Sequence, residues 1–137
     1  MPIARLNPTE IHGNPVYSQG VSVPASARHI HVGGQNGVDI DGRIVGKGDP
    51  AAQTVRALAN LSAVLEAGGA KPDDLISLTV YLVGDVDLRS AFGAWAAFWN
   101  DRGPPPVMKV LRIAGLANPD FLIEVEGVAA IVESDAV

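Results

Sequence analysis

The stretch LISLTVYLV at 75–83 constrains the fold more than any other part of the chain. It is rich in β-branched and aromatic residues and apolar at nearly every position. That pattern predicts a central strand covered on both faces. With Gly84 the uncharged run covers 10 residues, well short of the roughly 20 that a transmembrane helix needs. A second strand of this kind is predicted at 121–131, after the loop 115–120. A further strand is predicted at 108–113.

Two helices separate these strands. Asp49 is a good N-cap, and Pro50 sits at the first helical position, where proline is tolerated. Val55, Leu58, Leu61 and Leu65 form an apolar stripe, and Gly68-Gly69 ends the helix. Asp87 caps a second helix with Leu88, Phe92, Trp95 and Trp99 on one stripe; Gly103 and the prolines at 104–106 stop it. Ahead of the first helix, residues 13–23 read as extended, and His29 and His31 alternate with Ile30 and Val32 as in a half-buried strand. The two segments predict a β-hairpin, and Asp41-Gly42 predicts a tight turn in a second, smaller one. Strand, helix and long strand in this order predict a crossover between parallel strands. Two helices cover one face of such a sheet. The remaining face predicts self-association, because no third layer is available to bury it.

Composition narrows the function classes. A chain of 137 residues suits one domain, here 1–137, and is long enough to bury its own core. Apolar residues make up 47% and charged residues 18%, which argues for a folded globule. The 10 Lys and Arg stand against 15 Asp and Glu, with no basic run, so no nucleic-acid partner is expected. Without cysteine there is no disulfide framework, thiol nucleophile or Cys-based metal site. The N-terminus MPIARLNPTE lacks the apolar core of a secretory signal, so a soluble, cytoplasmic protein without a membrane partner is expected.

Phosphate-cradling, zinc-protease and nucleophile-elbow motifs are missing from the sequence. His29 and His31 share a strand face, yet no motif supplies a third ligand, so no metal is expected. Polar residues inside apolar strands are the more informative feature. Glu124 and Glu126, two apart in FLIEVEGVAAI, point to one face and need solvent, a partner or a cleft. On the residues alone a structural role is expected for both, with Glu126 ion-paired to Arg112. Glu124 becomes a general acid/base or a water-positioning group if it lines a pocket. Tyr17-Ser18-Gln19-Gly20 and Gly34-Gln35 offer polar groups beside glycines that permit close approach, as ligand sites and strand ends both do.

PVYSQG at 15–20, HIHVGGQ at 29–35, the helix from Asp49 to Gly68, DDLISLTVYL and IEVEGVAAI stand in the order and spacing of the RidA/YjgF family, which this chain resembles from about Asn14 to Val132. The family is also labelled endoribonuclease L-PSP or translation-initiation-inhibitor-like. The resemblance implies an α+β, chorismate-mutase-like fold with two helices on one face of a mixed sheet. It further implies a homotrimer with small-molecule clefts at the subunit interfaces, working without a cofactor. The activity it implies is hydrolysis of reactive enamines and imines, such as 2-aminoacrylate and its imino tautomer, to 2-keto acids and ammonia. There an arginine clamps the substrate carboxylate, a glutamate on the last strand positions water, and a tyrosine and backbone groups shape the pocket.

Carried over, the matching positions are Tyr17, Gly34 and Glu124. The arginine has no counterpart, since Pro106-Val107-Met108-Lys109 stands where active members read Pro-Ala-Arg-Ser. Counting forward from the proline puts Met108 at the clamp; counting back from Glu124 without a gap puts Lys109 there. The first count is adopted, with the extra residue assigned to the loop 117–119, and Lys109 then faces away from the Met108 side. Arg112 shares the Met108 face about 13 Å away. The expectation is an imine/enamine hydrolase with altered substrate recognition by Met108, Lys109 and Val110. The alternative is a non-catalytic ligand-binding or regulatory homotrimer in which Met108 and Val110 floor an apolar cleft. Ribonuclease activity is disfavoured by the acidic balance.

Overall fold

The computed structural model describes residues 2–133. In chain order the elements are β1 (Ala4–Leu6), β2 (Gly20–Ser22), β3 (Arg28–Gln35), α1 (Pro50–Ala67), β4 (Leu75–Val83), α2 (Leu88–Trp99), β5 (Val107–Ile113) and β6 (Ile123–Ile131). β3, β6, β4 and β5 form one sheet in that spatial order, and β1 pairs with β2 in a separate ribbon. β6 is antiparallel to both its neighbours, while β4 and β5 are parallel. β3 and β4 therefore run parallel across α1, as the strand–helix–strand order predicts, but β6 lies between them.

The helix boundaries follow from their caps. The Asp49 side chain accepts a hydrogen bond from the Ala52 amide at 3.1 Å, and Pro50 opens the helix behind it. At the other end Gly69 takes φ +80°, a region that costs a side-chain-bearing residue about 1 kcal/mol, and the Ala70 amide returns to the Leu65 carbonyl at 2.9 Å. The buried face of α1 carries Gln53, Thr54, Ala57, Leu58, Leu61 and Leu65. The sequence pattern puts Val55 on that stripe, but it is 59% exposed, because Gln53 and Ala57 draw the face round to their side. In α2 the Asp87 carboxylate caps the Arg89 amide. Trp95 and Trp99 stack at 5.4 Å, with the Trp99 indole donating to the Gly103 carbonyl.

Both helices lie on one face of the sheet. Leu58, Leu61 and Leu65 meet Leu75, Leu78, Leu82, Ile123 and Val125 in a single core. Each such side chain contributes roughly 1.5–3 kcal/mol through burial. Within one chain β4 alternates: Leu78, Val80 and Leu82 are buried under the helices, while Ser77, Thr79, Tyr81 and Val83 are half-buried on the opposite face, the one from which self-association is expected. The expected hairpin of 13–23 with the histidine strand does not form. β2 pairs instead with β1, and β3 pairs with β6, so the first strand's partner is the N-terminal segment. The smaller turn forms as expected, with Gly42 at φ +80° and Val38 bridged to Ile44. Among the described residues no helix is long and apolar enough to cross a membrane.

Candidate functional site

The sheet face turned away from the helices carries the polar groups. Register places Lys109 beside Thr79 and Thr79 beside Glu126, so the three form one row across β5, β4 and β6. One step along, Leu111, Tyr81 and Glu124 form the next row. Lys109, Thr79 and Glu126 line a cleft of about 510 Å³ together with His31, Ser77 and Val128.

Each carboxylate has its own support. Glu124 accepts a hydrogen bond from Asn36 Nδ2 at 3.2 Å on Oε1. Its Oε2 occupies the space that a β-carbon on Gly34 would take. The pairing of β3 with β6 shifts register between Val32 and Gln35, and Gly33 and Gly34 occupy this irregularity. A glycine there gives the Glu124 carboxylate its room. Glu126 accepts a hydrogen bond from the Tyr81 hydroxyl. That bond, then burial, then the charges of Glu126 and Glu124 push the Tyr81 phenol above its ordinary range.

The expected ion pair between Glu126 and Arg112 is absent. Arg112 Nη1 donates to the carbonyls of Gly84 and Val86, both at 2.9 Å, and ties the end of β5 to the turn before α2. Strand alternation sends Glu126 to the open face and Arg112 to the side of the helices.

The same alternation corrects the placement of the clamp residue. Met108 packs against the core, and with Val110 it lines an apolar cavity between sheet and helices that also contains Leu58, Leu78, Trp95 and Val125. Both therefore line this apolar cavity and do not share the face of Glu124, and Met108 also borders the smaller cleft described next. Of the two candidate clamp residues, Lys109 is the one on the carboxylate face. β4 and β5 pair without a register shift from Ser77↔Val107 to Val83↔Ile113, so no irregularity lets Met108 turn outward.

Tyr17 reaches this face from the far edge of β5. Ser18 bridges to Val107, its amide donates to the Pro106 carbonyl at 3.0 Å, and its hydroxyl donates to Pro105. Tyr17, Gln19, Thr79 and Lys109 thereby line a cleft of about 260 Å³ that adjoins the larger one through Ser77, Thr79 and Lys109. The Tyr17 hydroxyl lies 3.2 Å from His12 Nε2, and Gln19 Nε2 donates to the His12 carbonyl. His29 and His31 share the open face with ring centres 6.2 Å apart.

The structure therefore brings Tyr17 and Lys109 together along one cleft, with Glu124 in the next row and Gly34 against it. Sequence reasoning missed Tyr81, Thr79 and Asn36. Tyr81 and Thr79 fall two apart within LISLTVYLV, which is the alternation that singled out Glu124 and Glu126. Asn36 carries no such signal.

The chain is an α+β domain with polar clefts on the uncovered face of its sheet. The chain belongs to the endoribonuclease L-PSP family, whose model matches residues 9–131. It is 30% identical to the RutC family protein YoaB of Escherichia coli (strain K12) over 128 residues, 93% of this chain and 92% of that one. It is 30% identical over 82 residues to the 2-iminobutanoate/2-iminopropanoate deaminase of the same organism, covering 59% of this chain and 63% of that protein. The crystal structure of a protein of the conserved Rid family, YyfB from Yersinia pestis, matches with a TM-score of 0.86 at 32% identity, covering 96% of this chain and all of the other.

Proposed function

We propose that the protein hydrolyses small imines or enamines bearing a carboxylate, with Lys109 as the carboxylate-binding cation. The observation that carries this reading is the register that sets Lys109, and not Met108, on the face of Glu124. The gap-free count back from Glu124 ends on the same lysine. A lysine ammonium binds a carboxylate as a point charge, without the two-pronged geometry of a guanidinium. Glu124, fixed by Asn36 and backed by Gly34, orients a water toward the imine carbon. The water oxygen adds to that carbon, the carbon–nitrogen bond breaks, and a keto compound and ammonia leave. Tyr17 closes the Lys109 end of the cleft.

We also propose that the protein works as a homotrimer, with the open face of the sheet buried between copies. Ser77, Thr79, Tyr81 and Val128 are only half-buried in one chain, and Leu111 is 41% exposed on the same face. A further copy over this face would enclose the clefts and strengthen their electrostatics.

The test is the rate of pyruvate formation from freshly generated 2-iminopropanoate, with and without purified protein. Acceleration that Glu124→Gln abolishes and Lys109→Met weakens supports the hydrolase. No acceleration by a folded protein overturns it and leaves the non-catalytic binding reading.

A further inference from the structure

The sequence alone suggests a structural carboxylate at Glu126 paired with Arg112, and that ion pair does not form. Arg112 is engaged by two backbone carbonyls on the other side of the sheet. Glu126 instead lines the larger cleft, one strand beyond Thr79 from Lys109. A cation and a carboxylate thus face one cleft from opposite walls.

We propose that Glu126 binds the nitrogen end of the ligand, so that the cleft selects molecules carrying a positive nitrogen beside a carboxylate, with Tyr81 as the residue that positions Glu126. This role rests on the carboxylate-binding role of Lys109 given above and adds a second charged contact to it.

The dimensions fit. Two strand spacings separate the Cα atoms of Lys109 and Glu126 by roughly 10 Å. With both side chains upright on the sheet, two charge-assisted hydrogen bonds of about 2.8 Å each leave roughly 4 Å between the ligand's charged ends. A carboxylate oxygen and a nitrogen on the adjacent carbon lie roughly 3–4 Å apart by ordinary bond lengths. A ligand of this size therefore bridges the row over Thr79, whose short side chain leaves the space open.

Tyr81 fixes the carboxylate. It stands diagonally across from Glu126 on β4 and donates its hydroxyl proton to Oε1, which leaves Oε2 for the ligand. The other charged or titratable groups on this face are Lys109 from β5, Glu124 from β6, His29 and His31 from β3, and Tyr17 from the segment beside β5. The bond to Glu126 keeps the Tyr81 phenol protonated across the neutral range, so Tyr81 remains a donor. For an imine, this contact favours the protonated iminium form, whose carbon is the better electrophile. One water then adds to that carbon. Its oxygen becomes the carbonyl oxygen of the product, its two hydrogens join the two already on nitrogen, and the carbon–nitrogen bond breaks to release ammonium.

The test compares L-alanine with L-lactate, which differ in one group: ammonium against hydroxyl. Calorimetry on the full chain should show alanine binding about tenfold tighter than lactate, the worth of one charge-assisted contact. Glu126→Gln should weaken alanine about tenfold and leave lactate within about twofold, and Tyr81→Phe should give a smaller loss in the same direction. In turnover, Glu126→Gln should raise KM for the imine more than it lowers kcat. Equal wild-type affinity for the two acids, equal weakening of both by Glu126→Gln, or binding of neither overturns the proposal. Discrimination for alanine without pyruvate formation from the imine sinks the hydrolase alone. Unaltered KM in Glu126→Gln with intact turnover sinks the role of Glu126 alone.

Discussion

Lys109 and Glu126 stand one strand to either side of Thr79, in a single row across the open face of the sheet. Among the described residues their opposite charges form no ion pair with each other. They frame a space whose floor is a threonine, and the chemistry of the cleft follows from what can connect them.

The two candidate clamp positions separate cleanly on substitution. Met108→Arg drives a guanidinium toward the cavity lined by Leu78 and Trp95, and should cost about 3 kcal/mol or more in urea unfolding without raising turnover. Lys109→Arg places the same group on the carboxylate face, and should raise kcat/KM for 2-iminopropanoate by about three- to tenfold. A gain of activity in Met108→Arg would refute the assignment of faces.

Gly34→Ala tests the seat of Glu124. The added β-carbon meets the far end of a flexible side chain, so the fold should lose less than about 1 kcal/mol. The displaced carboxylate should lower kcat by about 10- to 100-fold. Unchanged kcat would mean that Glu124 does not act from this position.

Gln53 is fully buried and holds three backbone groups: its Nε2 donates to Gly46 and Asp120, and its Oε1 accepts from the Leu122 amide. It thereby fastens α1 to the segment leading into β6. Gln53→Ala should lower unfolding free energy by about 3 kcal/mol, because those groups lose their partner inside the protein. A loss below about 1 kcal/mol would show that water replaces the amide.

Tyr81 predicts an alkaline signature. Its folded-state value lies above the unfolded one, so the stability tied to its protonated form is whole below the ordinary phenol value near pH 10 and is lost as pH rises through the higher folded value. Urea midpoints measured from about pH 9 to 11.5 should fall more steeply in the wild type than in Tyr81→Phe. Parallel curves would mean that the hydroxyl bond to Glu126 contributes nothing to the folded state.

Local signals carried much of this architecture. Asp49 with Pro50, and Asp87 before Leu88, marked both helix starts, because capping depends on a few adjacent residues. Alternation in IEVEGVAAI put Glu124 and Glu126 on one face. What the sequence did not disclose depends on partners distant along the chain. β2 could not be assigned to β1 from its own residues, and Glu126 could not be assigned to Tyr81, 45 positions away. Met108 and Lys109 differ by a single step, and only pairing with β4 decides which of them turns to which side.

The spatial order β3-β6-β4-β5 has a consequence for how the molecule assembles. The strand that joins the sheet is the last of its four in the chain, and β3 has no other neighbour in that sheet. During synthesis, α1 and the β4–β5 pair can form early, while β3 waits for a segment almost a hundred residues downstream. Closing that long gap should make sheet completion the slow, late event, with an apolar helix face left open until it occurs.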